Sequence, residues 1–191
     1  MKHTMVALVE DRPGVLNRVA SLFRRRGFNI DSLAVGTTEE TGVSRMTIVL
    51  DGAEGIVEQV EKQLYKLIDV IKVADLTNAE AVVRELALVK VRCSTAQRAE
   101  LIDLVEIFRG HVVDVGPQHL MVELAAEGER MDAFLKNLEG YGILELVRTG
   151  RIGMIRGSET TAVHQVESDE AALFHMESGR LPEGDLPFVS D

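Results

Sequence analysis

The chain has 191 residues, 46% of them hydrophobic, and a formal net charge of −10 at pH 7. This length suits one medium domain or two small ones. The negative charge argues against a nucleic acid or an anionic membrane surface as partner, because neutralising phosphates needs clustered Lys and Arg. Cys93 is the only cysteine, and no signal peptide or membrane-spanning apolar run is recognisable, so we expect a cytoplasmic protein without disulfides.

The first half of the chain alternates between strand and helix patterns. Residues 3–9 form an apolar run of strand length, and an amphipathic helix follows that ends at Gly27. Strands are predicted over 28–37, 43–51 and 70–76, with a second amphipathic helix before the last of them. The predicted apolar stripes are Val15, Leu16, Val19, Leu22 and Phe23 in the first helix, and Ile56, Val57, Val60, Leu64, Leu67 and Ile68 in the second.

The second half repeats this order, with strands predicted over 85–93, 111–116, 120–124 and 144–152 and two helices between them. Residues 22–31 resemble residues 107–114, which supports duplication of one unit. The sequence therefore predicts an α+β protein of two ferredoxin-like βαββαβ units, 3–77 and 80–157. Both periodicities stop after about Gly157, and we expect the acidic tail, 158–191, to be disordered.

A search for catalytic or metal-binding patterns gives a negative result. The five histidines are scattered, and none lies at metal-ligand spacing from another His or Cys. No nucleophile elbow and no nucleotide-binding glycine loop is present. Acidic pairs near predicted helix starts, such as Asp51 and Glu54, are better explained by the helix dipole than by acid–base catalysis. We therefore predict no catalytic residue and no metal site.

The most informative segment is the turn that joins the first strand to the first helix. Pro13 suits the first helical position, because its fixed φ is helical and it has no N–H to leave unpaired. Gly14, expected in the first helical turn, has no side chain to keep a ligand from the backbone N–H groups of Gly14, Val15 and Leu16. Exposed N–H groups and the positive end of the helix dipole favour a small anion such as a carboxylate.

We expect residues 11–16 and the start of the second strand to lie close together on one edge of the sheet. Asn29 would then offer an amide donor and acceptor to an amino acid. Ile30, with Val15 and Leu16, would contact an aliphatic side chain.

A purely structural interpretation of the same residues is also open. Asp11 could cap the helix, Gly14 could relieve crowding, and Asn29 could occupy a turn. The residues alone do not decide between this interpretation and an amino-acid site.

These segments resemble the ACT domain family, which has D-R-P-G-V-L after the first strand, here residues 11–16, and N-I at the start of the second, here residues 29–30. More narrowly, residues 3–157 resemble the regulatory (small) subunit of acetolactate synthase, also called acetohydroxyacid synthase. The segments that make this resemblance specific are Ser44–Ile48 and Glu106–Gly110. Further similar segments are Arg26–Leu33, Glu61–Leu67, Arg84–Val91 and Arg148–Gly150.

The resemblance implies a non-catalytic subunit in branched-chain amino acid biosynthesis, with residues 3–77 as its ACT domain. It implies a catalytic large subunit as partner, and that partner would carry thiamine diphosphate, FAD and Mg²⁺, with no cofactor in this chain. Small subunits of this kind activate the large subunit and commonly mediate feedback inhibition by valine. A stand-alone ACT-domain amino-acid sensor or transcriptional regulator is the alternative, and an enzyme on a ferredoxin-like scaffold is less favoured because no catalytic constellation is present.

The resemblance also implies a homodimer, with the ligand between the first helix of one chain and the second strand of its neighbour. The implied valine-binding residues are Asp11, Gly14, Val15, Leu16, Asn29 and Ile30. Many relatives have Asn where this chain has Asp11, whose carboxylate would attract a ligand ammonium and repel a ligand carboxylate. The second unit lacks the Pro-Gly element, and we expect it to serve association instead of ligand binding.

Overall fold

The computed structural model describes residues 1–53, 55–158 and 160–162 of the chain. The first domain alternates strands and helices in the predicted order. Its elements are β1 (Lys2–Glu10), α1 (Val15–Arg26), β2 (Ile30–Thr37), β3 (Val43–Asp51), α2 (Ile56–Leu64) and β4 (Val70–Asp75). Its sheet has the strand order β2-β3-β1-β4, and every neighbouring pair is antiparallel.

The second domain repeats this architecture. Its elements are β5 (Ala81–Arg92), α3 (Arg98–Ile107), β6 (His111–Val115), β7 (His119–Ala126), α4 (Gly128–Glu139), β8 (Ile143–Arg148) and β9 (Ile152–Ile155). Its strand order, β6-β7-β5-β8, corresponds strand by strand to the order β2-β3-β1-β4 of the first sheet. The predicted fold class, α+β with two ferredoxin-like βαββαβ units, is thus confirmed. No helix in the described part of the chain has the length and apolarity to cross a membrane.

Each domain has its own core between its sheet and its two helices. Helix α1 buries Val15, Val19, Leu22 and Phe23 and ends at Gly27, whose φ of 69° is left-handed. The prediction that Leu16 belongs to this stripe was wrong, because its side chain remains 45% exposed at the N-terminal end of the helix.

Helix α2 ends earlier than its apolar stripe predicted. Tight turns follow Leu64, and the Leu67 N–H donates to the Leu64 carbonyl at 2.9 Å. Ile68 therefore leaves helical spacing and is 95% exposed, so its predicted place in the stripe was wrong. The residue that follows it, Asp69, is buried.

The end of the second domain also differs from the prediction of one strand over 144–152. The chain turns at Gly150, whose φ of 78° is left-handed, and so divides this segment into β8 and β9. Strand β5 begins at Ala81 instead of Glu85, and its first residues, Ala81–Arg84, pair with β9. We call this pair of short segments the ribbon.

The ribbon covers the outer face of the first sheet, opposite to the helices. There Ala81 and Ile155 pack on a small apolar cluster of Val6, Leu8, Val43 and Leu76. The rest of β5 pairs with β7 and β8 in the second sheet. Strand β5 therefore packs on the first domain through its first residues and pairs within the second sheet along the rest of its length, which connects the two domains.

Residues 160–162 return to the first domain. Arg45 Nη1 donates to Thr161 Oγ1 at 2.6 Å, and Lys72 Nζ donates to the Ala162 carbonyl at 3.3 Å. The prediction of a disordered tail falls almost entirely on residues 163–191, which lie outside the described residues.

Candidate functional site

The turn between β1 and α1 has a backbone that requires glycine. Gly14 is the N-cap of α1 with φ 90° and ψ −9°, a left-handed conformation that strains other residues. The helix begins at Val15, so Pro13 lies before the N-cap and Gly14 lies outside the first turn. The prediction of Pro13 as the first helical residue was therefore wrong, because the chain reverses at Gly14 before it becomes helical.

The N-terminus of α1 is open to solvent and uncompensated. Gly14 has no side-chain capping bond, so the interpretation of Asp11 as the cap was wrong. The Val15 N–H donates weakly to the Arg12 carbonyl at 3.3 Å. Among the described residues, no partner is found for the N–H groups of Gly14 and Leu16.

The other helices of the described chain differ in charge at this position. Their first turns each contain an acidic residue, namely Glu58 in α2, Glu100 in α3 and Glu129 in α4, whereas the first turn of α1 contains none. The turn before α3, which corresponds to the Pro13–Gly14 turn, is closed by a capping box between Ser94 and Gln97. An anion at α1 would thus meet a positive helix end that no acidic side chain of its first turn neutralises.

An ion pair between a half-exposed arginine and a buried aspartate, which the sequence pattern did not predict, stabilises this turn. Arg18 donates to both carboxylate oxygens of Asp69, from Nε and Nη2, at 2.7 Å each. The Asp69 carbonyl accepts from the Glu10 N–H at 2.9 Å. The Asp11 N–H donates to the Gly42 carbonyl at 2.7 Å, which joins the turn to the β2–β3 connection. The one sequence feature that could have indicated the pair of Arg18 with Asp69 is the position of this acidic residue between two apolar ones, Ile68 and Val70.

The two groups of predicted site residues lie at opposite ends of the sheet within one chain. Glu10 pairs with Val43, and the neighbouring pair on the other side of β3 is Ser44 with Thr37, the end of β2. Ile30, the start of β2, pairs with Leu50 at the other end. Their partners on β3, Leu50 and Ser44, are six residues apart, which is about 20 Å along the sheet.

The prediction that residues 11–16 approach Asn29 and Ile30 within one chain was therefore wrong. The physical reason is topological: β1 and β2 both pair antiparallel with β3, so they run in the same direction. Helix α1 returns the chain to the opposite end of the sheet, and β2 starts there.

The predicted residues also differ in what they can offer to a ligand. Leu16 and Asn29 have exposed side chains, and Ile30 is half-buried. Val15 is 3% exposed in the first core, so only its backbone could contact a ligand. Val35, which the sequence did not indicate, is also exposed (47%) near the end of β2 and pairs with Met46 on the helix side of the sheet.

Within residues 1–53, 55–158 and 160–162, no group of three or more His, Cys, Asp or Glu side chains could hold a metal ion. At one end of the sheet the chain offers backbone N–H groups and the exposed Leu16, and at the other end the exposed Asn29 amide and the half-buried Ile30. Only if these two groups met would they suit a small zwitterion with an aliphatic side chain.

Comparisons with known proteins agree with both domains. Residues 5–72 match the family described as AHAS small subunit-like ACT domain, and residues 84–157 match the small subunit of acetolactate synthase. A probable acetolactate synthase small subunit from Archaeoglobus fulgidus is 50% identical over 159 residues, which cover 83% of this chain and 99% of that protein. The small subunit from Mycolicibacterium smegmatis is 50% identical over 155 residues, 81% of this chain and 91% of that protein.

A solved structure extends the similarity to three dimensions. The crystal structure of the acetolactate synthase small subunit from Thermotoga maritima has a TM-score of 0.77 and 40% sequence identity, and the match covers 83% of this chain and 99% of that one. The sequence resemblance is thus confirmed, and the chain belongs to the acetolactate synthase small-subunit family.

Proposed function

We propose that this chain is the regulatory subunit of an acetolactate synthase and responds to valine, which it binds between the first domains of two copies. The observation that supports this most directly is the open N-terminus of α1, with no side-chain cap and no acidic residue in its first turn. A ligand carboxylate there would accept from the N–H groups of Gly14 and Leu16.

The free edge of β2 explains how two copies would complete one site. In the described part of the chain, β2 pairs only with β3, and an unpaired edge strand readily adds a strand from a second copy. Antiparallel pairing of two β2 strands about a two-fold axis places the start of one beside the end of the other. Asn29 and Ile30 of one copy then approach residues 11–16 of the other, which one chain alone does not achieve.

Each side chain has a distinct role in the proposed site. The Asn29 amide, from the second copy, would bind the polar groups of the amino acid. Leu16 and Val35 of one copy, with Ile30 of the other, would surround its branched side chain. Asp11, exposed beside the turn, would attract the ammonium and keep the carboxylate on the N–H groups.

In this proposal the catalytic large subunit supplies thiamine diphosphate, FAD and Mg²⁺, and this chain supplies no reacting group. Valine fixes the relative position of two small subunits, and this position is coupled to the activity of the partner. A coupling free energy of about 1–3 kcal/mol is typical of allosteric proteins, and it is reciprocal for binding. Binding of the large subunit must then change the affinity for valine by the same factor.

The test is calorimetry of valine with the small subunit alone and with its catalytic large subunit, together with an assay of acetolactate formation from pyruvate. We expect the affinities to differ by about 5- to 150-fold and the small subunit to raise activity in the absence of valine. Lysine, whose charged side chain does not suit an aliphatic pocket, is the control ligand.

Equal valine affinities in the two states would refute regulation through this site. Valine binding without association with a large subunit would instead support the stand-alone sensor. A small subunit that stays monomeric and still binds valine would contradict the shared site.

A further inference from the structure

One contact joins the proposed effector site to the second domain. Ser32 of β2 lies two residues after Ile30, and it meets the turn between β8 and β9. A Cβ built at Gly150 would lie 2.9 Å from the Ser32 Cβ and 3.1 Å from its Oγ. The Arg151 N–H points to the same hydroxyl at 3.5 Å. Backbone and side chain thus approach so closely here that only glycine fits at position 150.

The turn that contains Gly150 is held firmly to β5. The Thr149 N–H donates to the Leu86 carbonyl at 3.0 Å, and the Leu86 N–H donates to Thr149 Oγ1 at 3.1 Å. Arg151 Nε donates to Glu85 Oε1 at 3.3 Å. A shift of this turn therefore moves the start of the second sheet with it.

The same turn is connected to helix α4 through a buried carboxylate. Glu85, 6% exposed in its side chain, accepts from Arg148 Nε at 2.9 Å, and Arg148 Nη1 donates to Asp132 of α4 at 3.0 Å. Burial lowers the pKa of Arg148, but Glu85 and Asp132 outweigh this effect and raise it above its ordinary value. The guanidinium stays charged and links sheet to helix.

On the side of the first domain, the start of β2 is irregularly paired. Its pairing with β3 shifts register between Ile30 and Ser32, so Asp31 is an extra residue at a bulge. Asp31 pairs with Lys2 at 2.9 Å across an exposed surface. A polar cavity of about 330 Å³ lies beside the contact between Ser32 and Gly150. A ligand held by Asn29 and Ile30 would contact the residues next to this bulge and bias the position of Ser32.

We propose that Ser32 and Gly150 are positioning residues that transmit effector binding from the first domain to the second. This inference rests on the proposed function, because it assigns a route to the regulation of the same site. When an amino acid fixes the start of β2, Ser32 presses on the Gly150 turn. The turn then shifts together with Glu85 and the two arginines paired with it, Arg148 and Arg151.

The experiment compares Gly150→Ala with Gly157→Ala in the full chain combined with the catalytic large subunit. Both glycines have a φ of 78°, so alanine causes similar backbone strain at each, but a Cβ at Gly157 contacts nothing within 4 Å. The measured quantity is the ratio of L-valine dissociation constants with and without the large subunit. A merely structural role would lower the melting temperature without changing this ratio.

We expect Gly157→Ala to keep the wild-type ratio and Gly150→Ala to bring it close to one, with valine affinity of the isolated small subunit within about threefold of wild type. Gly150→Ala would then lose the whole wild-type ratio of dissociation constants, which we expect to be about 5- to 150-fold. In the double variant Ser32→Gly with Gly150→Ala, the alanine Cβ takes over the space of the missing Ser32 Cβ, so the contact is made from the other side and part of the ratio should be recovered.

An unchanged ratio in Gly150→Ala would overturn the inference, and so would loss of valine binding by the isolated variant, because the contact would then be part of the site itself. If Gly150→Ala does not fold, Ser32→Gly alone is decisive: an unchanged ratio overturns the inference, and a reduced ratio supports it. A wild-type protein that binds no valine would refute the proposed function first, which distinguishes the two failures.

Discussion

Replacing Gly14 by aspartate would put a carboxylate where the proposed function holds the carboxylate of valine. At a φ of 90° any residue other than glycine is strained, by about 1–3 kcal/mol. Loss of binding by Gly14→Asp alone would therefore not separate strain from charge. Gly14→Asn is the matched control, because asparagine has the same shape without the charge and is enriched among residues with positive φ.

The expected magnitude follows from the charges at the turn. Two carboxylates about 5 Å apart at an effective dielectric constant of about 20 repel each other by about 3 kcal/mol, which is more than a hundredfold in affinity. A Cβ at position 14 would lie 3.6 Å from Arg18 Nη1, so this guanidinium reduces the repulsion in part. Arg18 is already engaged by Asp69 and cannot cancel it.

We expect the dissociation constant of valine to rise about 100-fold in Gly14→Asp and less than about 10-fold in Gly14→Asn, because only aspartate adds the repulsion between two carboxylates. The assay is calorimetry on the isolated small subunit, after thermal melting has shown that each variant is folded. Inhibition of acetolactate formation by valine should follow the same order. Equal losses in the two variants would refute the assignment of the carboxylate to the turn.

Two further predictions concern stability, both measured as the free energy of unfolding in urea. Asp69→Asn should cost about 2–3 kcal/mol, because it weakens two charge-assisted hydrogen bonds to a buried carboxylate while the half-exposed Arg18 stays in contact with water. Glu58→Gln breaks an exposed pair and removes the acidic residue in the first turn of α2, so it should cost about 1 kcal/mol or less. Similar losses in both variants would contradict the importance of the pair between Arg18 and Asp69. Phe134→Ala should cost about 3–5 kcal/mol by leaving a cavity in the second core. Its control is Ile107→Ala, which removes a side chain that is 73% exposed and should change the free energy of unfolding by about 0.5 kcal/mol or less. A larger loss in this control would show that the core is wrongly assigned.

Local patterns were sufficient to predict most elements. Strand β3 was predicted over 43–51 and is observed over Val43–Asp51, because its alternating apolar residues face a core. The end of α1 at Gly27 followed from the left-handed conformation that glycine provides. The duplication of the unit, and with it the fold class, followed from the repeated order of such patterns.

What the sequence left unresolved depends on non-local contacts. The division of β8 from β9 is set by φ at Gly150 and by pairing with β5, and an apolar run through a single glycine does not indicate either. The pair between Arg18 and Asp69 joins residues 51 positions apart. The site residues themselves stay a prediction, and their separation within one chain could not be recognised until the register of β2 was known.

The ribbon, which continues from the second sheet onto the face of the first, has a practical consequence for dissecting the protein. A fragment cut at Thr77 would lose the ribbon and expose Val6, Leu8 and Val43 to water on the outer face of its sheet. Such a fragment would tend to aggregate, since an uncovered apolar surface of this kind seeks other partners. A soluble, isolated effector-binding module must therefore keep the ribbon, or replace the three aliphatic residues with polar ones.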